Sequence, residues 1–99
     1  MASRLGLHEI LRSITPNVYY QTPGNMAMEY PAIKYERRRI ENRFGSNNVY
    51  IQSRSYKIIV MDRNPDSAIV DKVAQLKSCT FESHYVVDGL NHDVFTIYY

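Results

Sequence analysis

The densest chemistry in this chain is the run Arg37-Arg38-Arg39, continued by Arg43 and Arg54 and interleaved with Tyr35, Glu41 and Tyr50. Guanidinium groups at this density suit two kinds of partner. They bind carboxylates on a protein surface through forked, charge-assisted hydrogen bonds, or they bind the phosphates of a nucleic acid without reading sequence. A third reading needs no ligand, because charges along a solvated hairpin protect its edges from pairing. In an extended segment, alternation sends Arg37, Arg39 and Arg43 to one face, with Glu41 among them, and Arg38 to the other. That splits the run.

Other reactive side chains do not assemble into a catalytic pattern. Cys79 and His84 are five apart in a segment that reads as a strand, so alternation puts them on opposite faces, which argues against a nucleophile and its base. Cys79 then reads as a small buried residue. His92 beside Asp93 and near Asp88 has the outline of a charge relay, but no Ser or Cys is placed to use it, and a turn-capping or strand-edge histidine fits better. One cysteine and three dispersed histidines give neither an intrachain disulfide nor a zinc spacing. Gly6, Gly24, Gly45 and Gly89 are isolated, and none opens a strand-to-helix turn with phosphate-binding spacing. No catalytic residue, metal or cofactor is expected.

At 99 residues the chain is the size of one domain, so residues 1–99 are read as a single unit. Hydrophobic residues make up 44% and charged residues 22%, a balance that folds. The net charge of +2, from twelve basic and ten acidic residues, is too small to name a nucleic-acid partner. No apolar run approaches the ~20 residues of a membrane span, and the first fifteen residues lack a signal-peptide core, so the expectation is a cytoplasmic protein with no membrane partner. Nine Tyr and no Trp lean towards half-buried strands and protein interfaces.

The elements that position these side chains follow from periodicity. Leu7, Ile10, Leu11 and Ile14 form the apolar stripe of a helix over roughly 3–14, with Ser3 as N-cap and Pro16 as its stop. Residues 17–21 (NVYYQ) read as a short strand. Residues 22–31 form a loop with apolar teeth, Met26, Met28 and Tyr30, which either fold back on the core or offer an adaptable docking surface. Two long strands then run through residues 32–61 around a turn at Gly45-Ser46-Asn47-Asn48. Ile33 and Tyr35 share one side, and Ile58 to Met61 give the returning strand apolar groups on both. Between about 36 and 54 apolar alternation is sparse, which implies a hairpin arm reaching beyond the core.

Asn64-Pro65-Asp66-Ser67 reads as a helix start, with Asn64 as N-cap and Pro65 in the first position, opening a helix of about three turns that buries Ile69, Val70, Val73 and Leu76. Strands over 79–87 and 92–99 flank a turn at Asp88-Gly89-Leu90-Asn91. The last has apolar groups on both faces and belongs inside the sheet. The order is α-β-β-β-α-β-β, an α+β domain with two helices over a mainly antiparallel sheet.

Taken together, NVYYQ, EYPAIKY, the long polar hairpin, DRNPDSAIVDKVAQL and the closing CTFESHYVVDGLNHDVFTIYY resemble the tail-terminator or neck (head–tail joining) proteins of tailed bacteriophages, over almost the whole chain. The resemblance implies an α+β virion protein, assembled in the host cytoplasm, that acts mechanically rather than as an enzyme. It implies a homo-oligomeric ring, a hexamer, that caps the tail tube and touches tail-tube subunits on one side and head-connector proteins on the other. It carries over no residue roles. A ring needs exposed contact elements, for which the candidates are Arg37, Arg38, Arg39, Glu41, Arg43, Tyr50 and Arg54 of the arm and Met26, Met28 and Tyr30 of the loop. In such a ring the arginines would face either a neighbouring subunit or DNA in the channel. The rival reading is a small ribosome-dependent mRNA endonuclease toxin, working through Arg, His84, His92, Tyr98 and Tyr99. Such toxins are generally far more basic than this chain. A single-strand nucleic-acid module ranks third, since Tyr35, Tyr50 and Tyr56 share no clear parity with the arginines.

Overall fold

Leu7 and Leu11 lose all contact with solvent in the folded chain, and Ile14 packs beside them, which draws helix α1 (Arg4–Ile14) onto the sheet. Ile10, the fourth residue of the expected stripe, stays at the rim with over a third of its surface exposed. The structure is a computed structural model that describes residues 4–21, 28–44 and 50–99. The expected Ser3 cap, the turn at 45–48 and Met26 lie outside the described residues.

The strands are β1 (Val18–Tyr20), β2 (Ala32–Phe44), β3 (Tyr50–Asp62), β4 (Cys79–Val87) and β5 (Leu90–Tyr98), with helix α2 (Ala68–Ala74) before β4. They form one sheet in the order β1-β2-β3-β5-β4, with β1 parallel to β2 and all other neighbours antiparallel. The expected α+β order is therefore the observed one. β5 lies inside the sheet as its two apolar faces require. Phe95 and Ile97 face the helices, while Leu90 and Val94 are buried towards the other side.

Both helices cover the same face. Leu7, Leu11 and Val73 meet Ile33, Tyr35, Tyr56, Ile58, Val60, Phe95 and Ile97 there, with Ile69, Val70 and Leu76 only partly buried around them. Among the described residues no helix covers the opposite face, where Ala32, Met61 and Leu90 form a small cluster roofed by Tyr19, Met28 and Ile59.

The start of α2 differs from expectation. Ser67, not Asn64, is the N-cap, with its Oγ accepting from the Ile69 amide at 3.2 Å, and the helix is seven residues long, about two turns. Asn64 and Pro65 lie before it. The Asp62 carboxylate accepts from the Asn64 amide and the Asn64 side chain accepts from the Asp66 amide, each at 3.0 Å, so the Asp and Asn groups that resemble a cap are spent on successive turns.

The molecule measures 52 × 24 × 23 Å, and its radius of gyration of 14.9 Å exceeds the ~13 Å of a compact chain this long. Strand pairing accounts for the elongation. β5 accompanies β3 only as far as Ser55, opposite Tyr98, and β1 accompanies β2 only from Ile33 to Tyr35. Beyond, residues 40–44 pair with residues 50–54 and with nothing else in the sheet. Residues 36–39 sit at the base of this arm.

Candidate functional site

The arginine run is reorganised by a bulge. β2 and β3 pair regularly from Ala32 to Arg37, but Arg37 lies opposite Tyr56 and Arg39 opposite Ser55, so Arg38 is an extra residue in the ladder. Simple alternation is broken there. Arg37, across from the buried Tyr56, belongs to the helix-covered side. Arg38 and Arg39 both turn to the open face, where they line a cleft of about 250 Å³ with Ser55, Thr80, Glu82, Thr96 and Tyr98. The expected grouping of Arg37 with Arg39 against Arg38 is therefore corrected, because one inserted residue exchanges the faces of everything after it.

A second bulge answers the first. In β4, Phe81 pairs with Phe95 and Ser83 with Val94, leaving Glu82 as the extra residue, also turned to the open face. Arg38 donates to the Glu82 carboxylate and, at 2.6 Å, to the Thr96 hydroxyl. Since β3 and β5 lie between them, this bridge spans three strand spacings, ~14 Å of sheet. The hydrogen bond from Arg38 holds Glu82 below the usual carboxylate range, with burial opposing it. Further along, Arg39 pairs with Glu41 at 2.9 Å, two residues on along the same side of β2. The cleft is thus a set of paired charges around hydroxyl groups.

The other candidates are dispersed. Arg54 lies at the root of the arm, where its carbonyl accepts from the Tyr99 amide at 3.1 Å. Arg43 and Tyr50 occupy the distal ladder, opposite Ile51 and Phe44. Met28 packs on the cluster under the open face. Tyr30 is exposed, with the Arg63 guanidinium 5.8 Å from its ring.

The bulge in β4 also changes the histidine geometry. Cys79 and His84, expected on opposite faces, both lie on the helix side, but opposite Ile97 and Asp93, about 13 Å apart along the strand. His84 Nε2 is 3.2 Å from Asn91 Oδ1, and Asn91 donates to the carbonyls of Asp62 and Arg63, which ties β4 to the loop before α2. His92 stacks on Tyr85 with ring centroids 4.6 Å apart and its Nδ1 3.0 Å from the Leu90 carbonyl. Asp93 lies on the other side of β5. The outline of a relay therefore comes apart, and the Arg38–Tyr98 cleft has no histidine among its lining residues.

One polar cluster went unread in the sequence. The Tyr35 ring is buried, and its hydroxyl receives a hydrogen bond from Arg4 at 3.2 Å and lies 2.7 Å from His8 Nδ1. Tyr20 and Tyr56 pack on the Tyr35 ring, and the Arg4 guanidinium lies 4.2 Å from the Tyr20 ring centre. Burial, reinforced by Arg4 and Arg12, lowers the His8 pKa. The i, i+4 spacing of Arg4 and His8 was the available clue. Both sit beside a core tyrosine and join α1 to β2, which makes the cluster a helix-to-sheet fastening.

Among the described residues there is no group of three or more His, Cys, Asp or Glu able to hold a metal ion, and no helix is long and apolar enough to cross a membrane. In comparisons with protein-family models and with curated proteins, nothing matches this chain.

Proposed function

We propose that the chain is a virion assembly protein, a tail terminator or neck component whose copies close into a ring, a hexamer, between the tail tube and the head connector. One observation carries this reading. Two thirteen-residue strands run on past the sheet that supports them, so a chain of 99 residues reaches 52 Å along one axis. Ordering backbone past the strands that support it costs conformational entropy, which contact with another molecule offsets. A neighbouring copy is the natural completion, because paired Arg and Glu at the arm base can exchange partners with the same groups on the next subunit. The dispersal of the histidines weighs against the toxin reading, which needs them beside the arginines.

The charges within the arm favour a neighbour over DNA in the channel. Arg38 and Arg39 are already paired with Glu82 and Glu41, so two of the arginines that could draw phosphate are neutralised within the chain. Particle mass combined with negative-stain images of the purified protein tests the proposal. The expected result is a closed ring; a monomer at all concentrations, or growth arrest with cleaved mRNA on expression, would overturn it.

A further inference from the structure

β4 is the outer strand of the sheet, and among the described residues nothing pairs with its free edge. Such edges are usually blunted by short length, Lys or Pro. β4 is nine residues long and contains no Lys, Arg or Pro. Its bulge is the one blunting device present, and that bulge turns Glu82, the strand's only acidic residue, onto Arg38 and away from the edge. Phe81, Tyr85, Val86 and Val87 are each 44–55% exposed and lie on both sides of the sheet. Each side of the strand therefore carries apolar groups into water among its polar ones.

We propose that a second copy of the chain occupies this edge, pairing β4 with β4 antiparallel about a two-fold axis, so that two five-stranded sheets become one of ten. The remaining strands with open edges fit poorly. β1 is three residues long, and the arm would set arginines against a neutral strand. β4 matches itself. Because the bulge exchanges the faces, Cys79 and Phe81 share the helix side with His84 and Val86, while Thr80 shares the open side with Tyr85. A register opposing Cys79 to Val86, Thr80 to Tyr85 and Phe81 to His84 therefore keeps every pair on a common side, as antiparallel neighbours require. It also sets each Glu82 beside Ser83 of the other copy, so the two carboxylates do not oppose each other directly. The contact is self-complementary, as a two-fold interface must be. It does not use the arm, and it meets the cleft only at its β4 wall, Thr80 and Glu82, so it is tested separately from the ring.

Two variants of the full chain test it. Val86→Lys places an ammonium group on the edge at a half-exposed position that the fold tolerates. In sedimentation velocity from about 1 to 100 µM, the wild type should show a particle with an even number of copies whose mass halves in Val86→Lys, with the circular dichroism spectrum unchanged. In a Cys79→Ser background, Thr80→Cys with Tyr85→Cys should form an interchain disulfide on mild oxidation; within one chain those positions lie opposite Thr96 and His92, about 13 Å apart, beyond bridging distance. A wild type that stays monomeric, a mass indifferent to Val86→Lys, or failure of the interchain disulfide overturns the proposal.

Discussion

β2 and β3 serve two different regions along their own length. From Ile33 to Tyr35, β2 lies between β1 and β3 and contributes Ile33 and Tyr35 to the core; beyond Arg39, among the described residues, the same pair has no third strand and no helix. Ile33 and Tyr35 are fully buried, whereas Ile40 is 38% exposed. The transition is made by one inserted residue, Arg38. That bulge ends the core register, aims two guanidinium groups onto the open face, and is braced by Glu82 from the bulge of β4. A strand can thus be structural at one end and presentational at the other, provided something fixes the switch point.

The contrast should appear first in stability. Phe95→Ala, deep under the helices, is expected to cost about 3–5 kcal/mol in urea unfolding, while Ile40→Ala in the arm should cost within about 0.5 kcal/mol. Comparable losses at both sites would mean that the arm belongs to the core. Tyr35→Phe comes next, since it keeps the ring but removes the hydroxyl shared by Arg4 and His8; about 1–2 kcal/mol is expected. His8 supplies its pH signature. Its pKa is lowered in the fold, so the unfolded chain takes up a proton first, and stability should begin to fall as pH drops below about 6.5, the ordinary value. His8→Gln should flatten that slope, and an unchanged slope would show that other groups cause it.

The brace between the bulges is weaker. Both side chains of the Arg38–Glu82 pair are at least a third exposed, so Arg38→Ala should cost less than about 1 kcal/mol. Because the Glu82 pKa is depressed, the contribution is present above the unfolded carboxylate value and lost as pH falls through the folded one. The difference between wild type and Arg38→Ala should therefore shrink in acid. The smallest effect on folding is expected for Arg39→Glu, which is exposed beside Glu41. It should leave thermal stability nearly unmoved yet prevent ring formation, with recovery in Arg39→Glu/Glu41→Arg. Normal rings in the single variant would remove Arg39 from the contact.

Much of this architecture was legible in the residues. The stripe of Leu7, Leu11 and Ile14, the alternation at Ile33 and Tyr35, and the two-sided apolar character of the last strand each reflect burial, which leaves a periodic trace. The features that define the candidate site leave no such trace. A bulge is one residue of slippage set by pairing with another strand, so neither Arg38 nor Glu82 is marked locally, and parity arguments carried past them place side chains on the wrong face. The start of α2 misled for a related reason: Asn and Asp suit turns and caps equally, and the geometry at Ser67 decides between them. Arg4 and His8 meet Tyr35 only through tertiary packing.

On the proposed function, the arm is an assembly device which the core does not need. Replacing residues 40–54 by Asn-Gly joins Arg39 to Ser55 through a two-residue hairpin turn and keeps the Arg38 brace. Thermal unfolding and particle mass, measured on the same sample, decide the matter. A cooperative transition within a few degrees of the wild type and complete loss of the ring are expected. A truncated protein that still closes into rings, or one that no longer folds, would contradict that reading.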